Sequence, residues 1–173
     1  MQHWYMLTLV GHDQPGIVAR VTAALFEAGA NLGEASMMRL GGEFTIMLRA
    51  RYDGGVYALR GHLEPIADAL GLHLHVDACD GEPQGHVEPD VRISVSGADR
   101  PGIVSEVAGA LAEAGFNILE LESDVAGSAD KPIYLIHIEG EARQGSDALE
   151  AALAPLRDKG VDVSMQPIEL MVG

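Results

Sequence analysis

The chain is written twice from one pattern. Residues Gly11 to Leu32 read GHDQPGIVARVTAALFEAGANL, and residues Gly97 to Ile118 read GADRPGIVSEVAGALAEAGFNI. At an offset of 86 residues, 13 of these 22 positions are identical, where chance gives roughly one or two. Such self-similarity means two copies of one supersecondary unit, each of about 80 residues. Between them, Cys79 to Pro89 reads CDGEPQGHVEP, rich in Gly, Pro and acid and poor in apolar residues, which is a linker composition. The expected layout is a first domain over 1–79, a linker over 80–89 and a second domain over 90–173.

Composition narrows the function classes. Apolar residues make up 47% and charged residues 21%, enough to bury two cores, so disorder is excluded as the main state. Eleven Lys and Arg stand against 26 Asp and Glu, a net charge of −15. Direct binding of nucleic acid needs a basic surface that displaces counterions, and an anionic membrane surface needs the same. No basic run exists here, so neither partner is expected. One cysteine, Cys79, forms no internal disulfide and no thiolate metal cage, as suits a reducing compartment. The N-terminus lacks the basic start and apolar run of a signal peptide. No apolar stretch approaches the roughly 20 residues that cross a bilayer, and the expected location is cytoplasmic.

Each copy reads as β-α-β-β-α-β. Trp4 to Val10 is a β-rich run, and in the second copy Val91, Ile93 and Val95 alternate with polar residues, the period of a strand with one buried face. Ile17, Val18, Val21, Leu25 and Ala28 recur at helical spacing, as do their counterparts Ile103, Val104, Val107, Leu111 and Ala114. Gly29 and Gly115 are placed to end those helices. Leu32 to Leu40 and Glu43 to Tyr52 form a hairpin across Gly41-Gly42, with a longer turn expected in the second copy from Ala126 to Pro132. Helices follow over Val56 to Leu70 and Ser146 to Lys159, with a kink or later start expected at Pro65 and Pro155. Last strands cover Leu72 to Ala78 and Val161 to Val172, the latter with a bend after Pro167. The predicted fold class is α+β: two ferredoxin-like modules, each a four-stranded antiparallel sheet with two helices on one face. One sheet face lacks a covering layer, and an isolated unit this small is marginal. A homodimer or higher assembly is therefore expected.

The corner between first strand and first helix is the most informative segment. It reads Asp13-Gln14-Pro15-Gly16-Ile17-Val18, and its twin reads Asp99-Arg100-Pro101-Gly102-Ile103-Val104. Asp suits a helix N-cap, Pro the first helical turn, and Gly a close backbone approach. A well-made helix start explains one such corner. Two corners, each followed by an Asn at an interval of 18 residues (Asn31 and Asn117), point to a cleft in which a helix start faces an Asn of a neighbouring module.

These residues resemble ACT domains, small ligand-sensing modules attached to enzymes of amino-acid metabolism. The resemblance rests on the Asp-x-Pro-Gly-Ile-Val run, the Glu-Ala-Gly-x-Asn step and the strand order, and it covers nearly the whole chain. Two such domains without a catalytic domain look like the glycine cleavage system transcriptional repressor group. What the resemblance implies is binding of a small amino acid of the glycine or serine class at an interface between modules. In serine-binding relatives the residue matching Asp13 is typically Asn, and it contacts the ligand together with the residue matching Asn31. Asp at this position leaves the ligand's identity open.

The chemistry is sound on its own terms. The carboxylate of an amino acid suits the N–H groups of Gly16 and Ile17 at a helix start. Its ammonium suits the Asp13 carboxylate or the Asn31 side-chain oxygen. The candidate ligand-binding residues are Gly11, His12, Asp13, Pro15, Gly16, Ile17 and Asn31 in the first copy. In the second copy they are Gly97, Asp99, Pro101, Gly102, Ile103 and Asn117. Other signals are weaker. His73 and His75 share a strand face with Asp77 and read as a solvated face rather than a metal pair. Met37, Met38 and Met47 are expected in core or inter-module packing. No nucleophile elbow, phosphate loop, dinucleotide fingerprint or carboxylate dyad stands out, so no catalysis, cofactor or metal is expected. The favoured function is a regulator that binds a small amino acid and signals to a partner protein, such as a DNA-binding regulator, in control of glycine cleavage gene expression. The alternative is a ligand-free interaction and dimerisation module.

Overall fold

A computed structural model describes residues 3–79, 85, 87–98 and 101–168. The chain divides into two compact units, Met1–Gln84 and Gly85–Gly173. The first runs β1 (His3–His12), α1 (Ile17–Glu27), β2 (Asn31–Leu40), β3 (Glu43–Tyr52), α2 (Val56–Leu70) and β4 (Leu72–Cys79). The second runs β5 (Val91–Ala98), α3 (Ile103–Glu113), β6 (Phe116–Ser128), β7 (Lys131–Ala142), α4 (Ser146–Asp158) and β8 (Asp162–Pro167). Their sheets have the orders β2-β3-β1-β4 and β6-β7-β5-β8, with every neighbouring pair antiparallel. This is the α+β, ferredoxin-like arrangement expected from the sequence.

Alternation fixes which face is buried. Tyr5, Leu7 and Leu9 of β1 and Phe44, Ile46, Leu48 and Ala50 of β3 point the same way. They meet Ile17, Val21 and Leu25 of α1 and Leu59, Leu63 and Leu70 of α2 in one core cluster. Both helices therefore lie on one face of the sheet. The second unit repeats the plan with Ile93, Val95, Ile136 and Ile138 under Val107, Leu111, Leu149 and Leu153. Each fully buried Leu contributes about 1.5–3 kcal/mol through the apolar surface it removes from water.

The opposite sheet faces carry no helix. Met37, Met38 and Met47 are half exposed, at 51%, 54% and 50%, so none joins the core of its module. The two helices cover β2 only slightly, and it is exposed along nearly its whole length. β6 is the exposed edge of the second sheet in the same way. Each edge strand slips register once, between Leu32 and Ala35 and between Ile118 and Glu120. Gly33 in the first of these bulges lies under Trp4, where a Cβ would come within 2.8 Å of the ring.

The turns settle the other expectations. Gly41 and Gly42 both take positive φ, 57° and 89°, as a tight hairpin with right-twisted strands requires. The second hairpin does not have a longer turn. Its strands run on instead, to a pairing of Ser128 with Lys131, with Gly127 at φ 91° taking the local twist. Neither proline delays its helix. α2 runs through Pro65 and α4 through Pro155. Both prolines are exposed, as are Gly61 and Ala151 one turn earlier, so the carbonyls that lose a partner face water. Gly29 and Gly115 end α1 and α3 at φ 76° and 71°. The linker lies largely outside the described residues, as does the expected bend beyond Ile168. Among the described residues, no helix is long and apolar enough to cross a membrane.

Candidate functional site

At the first corner β1 is closed by the hairpin turn. The Asp13 N–H donates to the Gly42 carbonyl at 3.0 Å, and the Gln14 Nε2 donates to the Leu70 carbonyl at 2.7 Å. These two bonds hold the corner against both the turn and the end of α2. Pro15 and Gly16 then form an exposed turn. Gly16 adopts φ 91°, ψ 0° and is the residue that precedes the helix.

This differs from the sequence reading in two respects. Asp13 does not cap α1, because the helix starts at Ile17, and no side chain caps it. Nor does any other part of the chain come close to Gly16: a Cβ would meet nothing within 4 Å. Gly16 is there because its left-handed φ is open to glycine and costs other L-residues about 1–2 kcal/mol. The twin Gly102 has φ 88° with the same open surroundings, and α3 is also uncapped by any side chain. Among the described residues, no side chain caps the first main-chain N–H groups of either helix.

Asp13 has a partner the sequence reading missed. Its Oδ2 lies 2.6 Å from Nε of Arg39 on β2, the side chains being 24% and 65% exposed respectively. An ion pair this open contributes at most about 1 kcal/mol to folding. Its effect is local: it fixes the carboxylate beside the uncapped helix and puts a guanidinium next to it. Register could have found it, since Arg39 pairs with Phe44 one step before Glu43, which in turn pairs with His12. The equivalent of Arg39 in the second sheet is Val125, opposite Tyr134. Asp99 and Arg100 lie outside the described residues.

The remaining candidates fall as follows. His12 is exposed, with Nδ1 3.6 Å from Glu43 Oε1. Ile17 and Ile103 are buried in the cores, 2% and 3% exposed, so only their main chains are open to a ligand. Pro101 and Gly102 are exposed. Asn31 is exposed and pairs with Arg51, which pairs with Trp4. That row is eight residue steps from the His12 row, about 27 Å at strand spacing. Asn117, half buried, likewise pairs with Glu141 at the far end of its sheet. Neither Asn reaches the corner of its own module. His73 and His75 are exposed, His75 lying 3.0 Å from Asp77, and no group of three metal ligands occurs among the described residues.

Gly11 has a packing duty. A Cβ there would come within 2.8 Å of both the Gly71 carbonyl oxygen and the Leu72 side chain, whereas at Gly97 the nearest atom is 3.5 Å away. Gly11→Ala is therefore expected to destabilise the first module by about 1–3 kcal/mol through overpacking. Gly97→Ala is expected to stay within about 0.5 kcal/mol of the wild type. Thermal denaturation of the two variants checks this, and equal shifts would contradict it.

Among the described residues, hollows lie elsewhere, and two are the larger. One of about 250 Å3 is lined by Ser94, Ser96, Leu135, His137 and Asp162. One of about 420 Å3 is lined by His3, Tyr5, Asp53, Gly54 and Cys79. Neither includes a corner residue.

Comparison with known proteins bears on these corners. Residues 3–77 and residues 91–164 each match the ACT domain family. The glycine cleavage system transcriptional repressor of Escherichia coli strain K12 is 25% identical over 148 residues, covering 85% of this chain and 78% of that protein. Two solved structures share the fold over nearly the whole length. A protein of unknown role from Galdieria sulphuraria has a TM-score of 0.79 at 23% identity, covering 98% of this chain and 100% of that one. A protein assigned as a glycine cleavage system transcriptional repressor has a TM-score of 0.75 at 18% identity, covering 98% and 99%.

Proposed function

Since this chain belongs to the ACT-domain family, over both of its modules, we propose that it is a non-enzymatic regulator that binds a small amino acid at its Pro-Gly corners. The observation that carries this reading is the first corner itself. An uncapped helix start adjoins a positive-φ glycine, and a carboxylate is held beside it by an arginine. A zwitterion matches that arrangement group for group. Its carboxylate takes the main-chain N–H groups of α1, where the helix dipole is positive, with the Arg39 guanidinium adjoining. Its ammonium takes Asp13, whose Oδ2 is engaged by Arg39, through Oδ1. Asn31 contributes only from another copy of the module, given its distance along the sheet.

Two or three charge-assisted bonds, less the cost of association, give micromolar to millimolar affinity. The second corner lacks an arginine at the Arg39 position, with Val125 there instead, so the two corners bind with unequal strength. Calorimetry with glycine, serine and the other common amino acids tests the reading. Saturable heat for a small amino acid is expected, and silence at millimolar ligand overturns it.

Relatedness to a glycine cleavage repressor supports a role in control of that system's expression. At a net charge of −15, the chain acts through a partner protein rather than by holding DNA. Purified protein is expected to leave a DNA fragment unretarded in a gel shift at physiological salt, and direct retardation contradicts this. The exposed edge strands and open sheet faces favour a second reading, a ligand-free interaction module. Thermal shift separates the two, since a true ligand at 100 times its Kd adds about 2.7 kcal/mol.

A further inference from the structure

The far end of the first open face is built around the chain's single tryptophan. Trp4 of β1 lies across β3, and the Cζ3–Cη2 edge of its ring arrives at Gly33 on β2, where a Cβ would come within 2.8 Å of it. The register slip between Leu32 and Ala35 and the missing side chain together clear the space that the indole fills. The guanidinium carbons of Arg49 and Arg51 lie 5.2 and 5.9 Å from the ring centroid, within cation–π reach. Both arginines stand on the open face of β3, because Leu48 and Ala50 between and beside them take the core side. Two residues of strand separate them by about 7 Å, so two like charges are held side by side.

The neighbouring strands offset only part of that charge. On β1, Arg51 opposes Trp4 and Arg49 opposes Met6, and on β2 Arg51 opposes Asn31. Glu34 in the bulge lies opposite Arg49 by register, one carboxylate against two guanidinium groups. Asp77 is two strands away and is engaged by His75 at 3.0 Å. The second sheet treats its arginine differently: Arg92 opposes Glu139 and meets its Oε1 at 2.6 Å. In a chain with 26 acidic residues against 11 Lys and Arg, a local excess of positive charge fixed on an aromatic ring is an exception to the whole composition.

We propose that Trp4, Arg49 and Arg51 form a binding site for a dianion of the phosphate-monoester class. A guanidinium fork matches phosphate oxygens in pairs. One group carrying about −1.5 to −2 charge neutralises both arginines, which a single carboxylate does not. Contact with the Trp4 ring restrains both guanidinium groups before the ligand arrives, so less side-chain freedom is lost on binding. The Arg51–Trp4 row lies eight residue steps from the His12 row, about 27 Å at strand spacing. The site is therefore separate from the amino-acid corner and does not depend on that reading. Arg51 is exposed and Arg49 half-buried, so salt screens the attraction and the expected Kd is about 1 mM.

Trp4 reports on its own site, since no other tryptophan contributes to the emission. Inorganic phosphate is titrated into the full chain at fixed ionic strength and about pH 8, where the dianion dominates, with fluorescence and calorimetry read together. Saturable binding is expected, and chloride or acetate at the same ionic strength is expected to give none. Arg49→Gln with Arg51→Gln is expected to weaken binding by about tenfold or more, with unchanged far-UV circular dichroism. Arg51→Gln alone changes an exposed side chain, keeps the fold, and is expected to weaken binding by about threefold to tenfold. Arg49→Lys with Arg51→Lys keeps the charge without the forks, and its affinity is expected between those of the wild type and the double glutamine variant. Asp13→Ala is expected to bind phosphate as the wild type does, and the double glutamine variant to keep its amino-acid heat, so failure here is distinct from failure at the corner. Glycerol phosphate and a nucleoside monophosphate separate two sources of the same group: equal affinity assigns the site to the phosphate alone, and tighter nucleotide binding adds stacking on Trp4. Silence toward phosphate and both esters, an equal response to chloride, or unchanged affinity in the glutamine variants overturns the proposal.

Discussion

Leu59→Ala is expected to lower the stability of the first module by about 2–5 kcal/mol, among the largest losses available to a single core side chain. Leu59 is 0% exposed and sits one helical turn before Leu63, also 0% exposed. The two form the ridge of α2 that fills the space over Leu7, Leu9 and Leu48. Truncation removes both transfer energy and contact, and the backbone around a sheet-packed helix closes little of the cavity. The single tryptophan, Trp4, lies in β1, so its fluorescence follows this module. Denaturant titration read by that signal is expected to show an earlier midpoint with nearly unchanged slope. The equivalent change in the second core, Leu149→Ala, is expected to move the Trp4 transition far less, because Leu149 belongs to a separate cluster. Equal movement of the Trp4 signal by both variants would contradict two independent cores.

Asp13→Ala is expected to weaken amino-acid binding by roughly tenfold to a hundredfold. The basis is one charge-assisted bond of about 1.5–3 kcal/mol, at about 1.4 kcal/mol per decade of affinity. Removing the carboxylate also frees Arg39, which is 65% exposed and then finds water at little cost to folding. Stability is therefore expected to change by no more than about 1 kcal/mol, so the loss of binding is not a loss of fold. Asp13→Asn keeps an acceptor and loses the charge, and its affinity is expected to fall between those of the wild type and Asp13→Ala. Calorimetry on the three proteins checks the order. Undiminished affinity in Asp13→Ala would take this carboxylate out of the site.

Much of this architecture was legible before any coordinates. The duplicated 22-residue segment announces two modules because a repeated apolar pattern can only bury itself twice in the same way. Gly41-Gly42 pins one hairpin, because the turn needs positive φ at both residues. What escaped were features decided by tertiary placement. Asp13 reads as a helix cap because caps have that composition, yet the bend at Gly16 moves the helix start to Ile17. The Asp13–Arg39 pair joins residues that meet only after β2 folds back on β3. Methionine composition suggests packing, but Met38 and Met47 point to the face that carries no helix, and Met37 lies on the exposed edge strand β2. The sequence predicts a longer second turn from Ala126 to Pro132, but the strands pair through that stretch to Ser128 and Lys131, with Gly127 absorbed in the ladder.

The exposed edges of the two sheets have unequal consequences for solubility. A bare strand edge is a template on which another chain can add in register. Along β6, Glu120, Glu122 and Asp124 recur on one side, so two such edges repel before their main chains can bond. Along β2 the equivalent positions are Glu34, Ser36 and Met38, which carry one acid where β6 carries three. Resistance to edge-on polymerisation is thus built more strongly into the second module than into the first, whose edge ladder is the readier seed for fibrils.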